Sequence, residues 1–144
     1  MRKMLNLGCG VNWNLYPEFE GLDIIDFGQT YQADARIFLQ SARPEEWDVV
    51  MANHFFEHFD QVDLRLMFFH IHRVVKVGGL LKFVVPSMKK DEAWVLSHKT
   101  FWNEATVRWL EREDADIVYG FGKWKVEEVI TNSREDIHAR LIKI

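Results

Sequence analysis

A single cysteine, Cys9, stands among the 144 residues, so no intrachain disulfide can form and a cysteine-based metal centre is not expected. Lysine and arginine never gather into a long run, and the formal charge is −4. That balance argues against nonspecific binding of nucleic acid, which works through phosphate neutralisation. It leaves room only for a local basic groove. No apolar run is long enough to span a bilayer and no signal peptide is evident, so a soluble cytoplasmic protein is expected. Repeats, low-complexity tracts and interdomain linkers are also missing, and residues 1–144 read as one domain large enough for a real core. What remains is ordinary for a globular chain: 48% hydrophobic and 28% charged residues, which excludes wholesale disorder. Aromatics reach 14%, with six Trp and eleven Phe, enough to fill a core and line a cleft.

The informative stretch comes first. Met4 to Gly10 reads MLNLGCG: a short apolar run, expected as a buried strand over Lys3 to Leu7, that ends abruptly in Gly8-Cys9-Gly10. A strand running into a glycine turn is how an open α/β sheet begins a nucleotide-type ligand site, because glycine turns sharply and lets backbone approach a ligand where a Cβ would clash. A G-x-G alone also fits a tight turn with no ligand, so the pattern gains weight only from the residues downstream of it.

Residues 11–21 hold two Asn, a Pro and a Gly and support a loop with at most one turn rather than a crossover helix. Leu22 to Ile25 reads as a second strand, interrupted by Asp23 and followed by Asp26. An acid at the end of a second strand can accept hydrogen bonds from ribose hydroxyls. A short third strand is expected over Thr30 to Ala33, ending at Asp34-Ala35. A short helix over Arg36 to Ala42 would close before Pro44. Trp47 to Ala52 is the fourth strand, with Asn53 and His54 at its carboxyl end, where ligands collect in open parallel sheets. Asp60 caps the next helix, with Asp63 in its first turn. Leu64, Met67, Phe68, Ile71 and Val74 form its buried stripe. Gly78-Gly79 is the expected stop of that helix. Leu80 to Val85 is a fifth strand apolar enough to be covered on both faces. Residues 87–100 read as an excursion over the carboxyl edge, and Asn103 as the cap of a helix reaching about Arg112. Residues 114–122 give no clear signal. Trp124 to Thr131 and Asp136 to Ile144 form a closing antiparallel hairpin, since a parallel crossover needs a dozen residues or more.

The order of these pieces resembles a class I S-adenosylmethionine-dependent methyltransferase. The residues that carry the resemblance are LNLGCG at 5–10, GLDIID at 21–26, ADA at 33–35, WDVVMANHFFEHF at 47–59, HRVVKVGGLLKFVVPS at 72–87 and the terminal hairpin. It implies an α/β, Rossmann-like fold with a mostly parallel seven-stranded sheet and a C-terminal antiparallel hairpin. It also implies S-adenosyl-L-methionine as cofactor. Carried over residue by residue, it assigns Gly8, Cys9 and Gly10 to the methionine part and Asp23 to the ribose, with Ile24 beside the adenine. Asp34 would accept from the adenine amino group with Ala35 packed nearby, and Asn53 would lie near the sulfonium. The chain departs from the family at the third glycine, which falls near Asn12. It departs again in the short first crossover helix and in lacking a helix before the first strand.

His54 and His58 are the candidate catalytic residues, imidazole being the side chain suited to taking a proton from a hydroxyl or ammonium acceptor. The same letters contain H-x-x-E-H, an inverted zinc-peptidase pattern with Glu57 as base. That reading is set aside because the segment follows a strand directly, Asp60 reads as a cap, and no downstream Glu offers a third ligand. No metal is expected. His70 and His72 read as surface or packing residues, and His98 as a weaker candidate on the substrate side. The expected activity is methyl transfer to O or N of a small-molecule or sugar-containing acceptor, without nucleic acid or membrane as partner. The short chain is compatible with a homodimer. The competing reading is a non-catalytic cofactor-binding or scaffold domain on the same fold.

Overall fold

The computed structural model describes all of residues 1–144. Seven strands form one sheet: β1 (Met4–Leu7), β2 (Glu20–Asp23), β3 (Tyr31–Gln32), β4 (Trp47–Asn53), β5 (Val75–Pro86), β6 (Trp124–Thr131) and β7 (Asp136–Lys143). Their order is β3-β2-β1-β4-β5-β7-β6. The first five pair in parallel, and β7 runs antiparallel between β5 and β6. Four helices accompany them: α1 (Ala35–Ser41), α2 (Gln61–Val74), α3 (Glu104–Trp109) and α4 (Glu113–Ile117). The mostly parallel sheet and closing hairpin are those anticipated from the sequence.

α2 forms for the reasons its sequence offers. The Asp60 carboxylate accepts from the Asp63 amide, capping the first turn. Leu64, Met67, Phe68, Ile71 and Val74 are its buried residues, a stripe at helical spacing. The helix stops earlier than the glycine pair suggests. Val75 is already extended (φ −78°, ψ 138°) and pairs with Trp47. The β4–β5 register then jumps to Val49↔Leu80, so Lys76 to Gly79 bulge out of the ladder. The glycines shape this bulge. Gly78 takes φ +78°, and a Cβ on Gly79 would lie 2.7 Å from the Lys76 carbonyl oxygen and 3.0 Å from that of Asp48.

Other boundaries move as well. β2 ends at Asp23 because the Asp23 carboxylate accepts from the Ile25 amide at 3.0 Å, turning the chain and leaving Ile24 and Ile25 exposed. The expected helix from Asn103 is two pieces, α3 and α4. Asn103 and Thr106 form the capping box of α3, and the silent stretch 114–122 holds most of α4.

Helices pack on one face of the sheet. On the other, Asn6, Val49 and Met51 at the centre are still buried, while the outer face of β5 is part-exposed, which corrects the expectation of a doubly covered β5. Leu81, Phe83 and Val85 join the main hydrophobic cluster with residues of α1, α2 and α3. Leu80, Lys82 and Val84, on the other face, remain part-exposed and outside it. Connectivity explains this. The β3–α1–β4 and β4–α2–β5 crossovers advance the same way along the sheet, so right-handed connections place both helices on one side, where α1 and α2 pack together. The β1–β2 and β2–β3 connections advance the opposite way, and they carry only a 3-10 turn (Trp13–Leu15) and a loop.

Candidate active site

The strand order reverses between β1 and β4, the topological switch point where open α/β sheets bind ligands beyond their carboxyl ends. Gly8 to Gly10 follow β1, and Asn53 and His54 lie at and just past the tip of β4. Of the sequence-selected residues, Gly8 to Gly10 stand on one side of this switch point and Asn53 and His54 on the other.

The glycine turn is built from three different constraints. Gly8 has φ +62°, and its missing Cβ makes room for Phe55, whose Cδ1 would lie 2.2 Å from it. Cys9 donates its amide to the Leu22 carbonyl at 3.1 Å and lays its sulfur against Gly21. Burial, aided by the charge of Asp23, pushes the Cys9 thiol up to about 11, so it stays protonated and unreactive at neutral pH. Gly10 has φ +67° with open space where a Cβ would be. Its amide donates to Asp23 Oδ2 at 2.9 Å. Asp23, not Asp26, is thus the acid turned toward the glycine turn. Asp26 instead accepts from the Gly28 amide within its own exposed loop. That loop is fixed by the Trp13 indole, which donates to the Phe27 carbonyl, and by Gln29, which bridges Ile25 and Tyr31.

Asp34 caps α1, accepting from the Arg36 amide at 2.9 Å and from the Arg36 guanidinium at 2.7 Å. The Arg36 hydrogen bond, opposed by burial, holds its carboxyl below the usual range. Ala35 is buried in the core at the start of α1, and Ile24 is exposed beside Asp23.

His54 occupies the left-handed region at φ +51°, strained for a residue with a Cβ. Its amide donates to the Val84 carbonyl at 2.8 Å, which holds it there. Its Nδ1 lies 3.7 Å from Glu57 Oε2. Interaction with that carboxylate is the largest cause of a pKa above the ordinary histidine value, with burial opposing it. A raised value means stabilisation that is complete below the unfolded pKa of about 6.5 and lost as pH rises through the folded one. A His54→Asn variant keeps a residue tolerant of positive φ. Its deficit in urea midpoint relative to the parent is therefore expected to shrink steadily from pH 6 to pH 8.5. A deficit constant with pH would refute the ion pair.

Phe56–His58 forms one 3-10 turn, so H-x-x-E-H is not on the long helix a zinc peptidase needs. Glu57 is buried, and its carbonyl accepts from the Lys99 and Thr100 amides at 2.8 and 3.3 Å. His58 turns toward His98, the ring centroids 4.7 Å apart and the planes at 84°. Two contacts here carry no local sequence signal. Phe55 is pressed on Gly8 from 47 positions downstream, and His98 meets His58 across 40. A cavity of about 530 Å³ is lined by Lys99, Thr100, Trp102, Trp109, Tyr119 and Phe121 among others. It adjoins the 3-10 turn through Lys99 and Thr100, and none of the expected cofactor residues line it.

No protein-family model matches the chain, and no curated protein sequence does. Solved structures do. A SAM-dependent methyltransferase from Archaeoglobus fulgidus aligns at a TM-score of 0.73 and 19% identity, over 99% of this chain and 86% of that one. The fold is that of the S-adenosylmethionine-dependent methyltransferases. The same methyltransferase fold is found in the N-methyltransferase NodS from Bradyrhizobium japonicum WM9, solved with S-adenosylhomocysteine. It aligns at a TM-score of 0.68 and 14% identity, over 99% of this chain and 78% of that one. The 1,6-didemethyltoxoflavin-N1-methyltransferase of Burkholderia thailandensis, solved with 1,6-didemethyltoxoflavin and S-adenosylhomocysteine, aligns at 0.70 and 12%, over 99% and 72%. No helix of this methyltransferase-like chain is long and apolar enough to cross a membrane.

Proposed function

We propose that the chain is an S-adenosylmethionine-dependent methyltransferase acting at O or N of a small-molecule or sugar-containing acceptor. The observation that carries this reading is the crevice between β1 and β4. There the glycine turn and Asp23 meet on one side, and Asn53 and His54 stand on the other.

The residues fit the cofactor. Each Asp23 oxygen accepts one backbone amide and keeps a lone pair for a ribose hydroxyl. Ile24 offers an exposed apolar wall to an adenine ring. Asp34, already anionic through Arg36, retains capacity for an exocyclic amine. Gly10 leaves open the space a side chain would fill, and its neighbours Gly8 and Cys9 complete the bend toward the methionine part. Ala35 supports Asp34 from the core, and Asn53 presents its amide at the β4 tip. When bound, the cofactor supplies an activated methyl group on a cationic sulfur.

The protein's share is alignment and proton removal. His54, held at the β4 tip by its amide bond to the Val84 carbonyl, is the proton acceptor. His58 faces His98 rather than the β1–β4 crevice and takes second place. The aromatic cavity beside Lys99 and Thr100 is the candidate seat for the acceptor's apolar part.

Calorimetric titration with S-adenosylhomocysteine tests the proposal. Binding is expected for the parent chain and at least about tenfold weaker for Asp23→Ala, the loss of about 1.4 kcal/mol of charge-assisted hydrogen bonding. No heat from either S-adenosylhomocysteine or S-adenosylmethionine would overturn it. Unchanged affinity in Asp23→Ala would overturn the site assignment. The Phe55 ring seated on Gly8 favours one rival, a binding domain without turnover. Cofactor binding with no methyl transfer to a broad panel of hydroxyl and amine acceptors would establish that rival instead.

A further inference from the structure

The turn after β4 carries a cluster that the methyltransferase reading leaves unused. Glu57, His58 and His98 each place one potential ligand atom within 4.8 Å of the others. Glu57 is 1% exposed, and its Oε1 is buried with no hydrogen-bond partner. Its other oxygen has only the His54 contact at 3.7 Å. The His54 contact reaches Oε2 alone, and a buried carboxylate oxygen left without any partner is costly.

His98 is oriented as a ligand would be. Its Nδ1–H donates to the Ala93 carbonyl at 3.1 Å, which fixes the tautomer and leaves Nε2 with its lone pair free. Metal-binding histidines are held in this way, through a hydrogen bond from the second ring nitrogen. The two segments are also stitched together independently of the cluster. The Lys99 and Thr100 amides donate to the Glu57 carbonyl, and the Thr100 hydroxyl donates to the Phe56 carbonyl at 3.3 Å. Ligands at bond lengths of about 2.0–2.2 Å in a tetrahedron sit roughly 3.4 Å apart. The contraction required is at most about 1–1.5 Å, and the exposed His58 side chain is free to rotate toward the other two.

We infer that Glu57, His58 and His98 form a binding site for a single divalent transition-metal ion of the zinc class. Two imidazoles and one carboxylate favour such an ion over magnesium or calcium, which take oxygen ligands. Three protein ligands leave one position for water or a substrate oxygen. The ligands join the turn after β4 to the 87–100 excursion, so the ion would clamp that excursion over the carboxyl edge of the sheet. The site does not depend on the cofactor reading.

The test uses the full chain after treatment with chelator, titrated by calorimetry with zinc chloride and, separately, magnesium chloride. One zinc ion per chain is expected, with a melting temperature that climbs with zinc concentration and little response to magnesium. Cobalt substitution should give the visible bands of a four- or five-coordinate nitrogen and oxygen site. His58→Ala, whose side chain is exposed, and His98→Gln should each weaken zinc binding at least tenfold, as should the near-isosteric Glu57→Gln. No saturable zinc binding would overturn the proposal, as would full affinity in both histidine variants. Loss in His54→Ala together with retention in His98→Gln would also overturn it, in favour of the H-x-x-E-H set. S-adenosylhomocysteine titrated into the same samples with and without zinc separates failure of the metal site from failure of the methyltransferase reading.

Discussion

Gly8→Ala is expected to lower the stability of the chain by about 2–5 kcal/mol, read as a fall in urea midpoint. Two penalties combine. The first is backbone: φ is +62° at Gly8, and a residue with a Cβ pays about 1–2 kcal/mol in the left-handed region. The second is steric. The new methyl would lie 2.2 Å from Phe55 Cδ1 and 2.9 Å from Cε1, and overpacking of this kind costs typically about 1–3 kcal/mol. Phe55 has little freedom to withdraw, because its ring packs edge-on against Phe59 at 4.8 Å between centroids. A domain stable by only about 5–15 kcal/mol in total feels such a loss strongly. The two penalties can be separated. Adding Phe55→Ala to Gly8→Ala should remove the steric part and leave the backbone part, giving a coupling energy of about 1–3 kcal/mol. Strict additivity of the two substitutions would mean that the ring is not what Gly8 accommodates.

Phe56→Ala should cost about 3–5 kcal/mol, the usual range for emptying a buried phenylalanine site. Phe56 is fully buried, with ring centroids 4.9 Å from Phe68 of α2 and 5.1 Å from Phe83 of β5. It therefore fills the junction of helix and sheet, and the cavity left behind would have walls on both. The damage should also spread locally. The backbone that Phe56 anchors holds Thr100 through the Phe56 carbonyl, and Lys99 through the Glu57 carbonyl. Hydrogen exchange at the Lys99 amide should accelerate more than the global loss of stability explains. A loss under about 1 kcal/mol, well below the range for such sites, or unaltered relative protection at Lys99, would contradict this account.

What the sequence disclosed depended on how local the governing interaction was. The α2 stripe was legible because five apolar residues at helical spacing follow an aspartate cap, all within fifteen positions. The hairpin was legible because Ile137, Ala139 and Leu141 alternate and its turn is too short for a crossover. The glycine turn and Asp23 were legible as a pair, though not the bond that joins them, from Gly10 to Asp23 Oδ2. Gly78-Gly79 misled because glycine signals a turn without saying which element turns. The bulge it forms is set by Trp47 pairing with Val75 across the sheet, a contact between distant residues. The meeting of His58 with His98 was hidden for the same reason, since the backbone bonds that bring residues 98–100 to Glu57 leave no local pattern. The part-exposed outer face of β5 could have been inferred from Lys82 in the middle of the strand, a poor choice for a strand buried on both faces.

That asymmetry has a bearing on how the molecule tolerates change. The connections at 11–19 and 24–30 contribute no member to the main hydrophobic cluster. Extra sequence spliced beyond Gly10 or after Asp26 would therefore displace no core side chain, and each doubling of loop length adds only about 0.6 kcal/mol of closure entropy. These two connections are where the chain has latitude to grow, while the crossovers that carry α1 and α2 supply core side chains and have little.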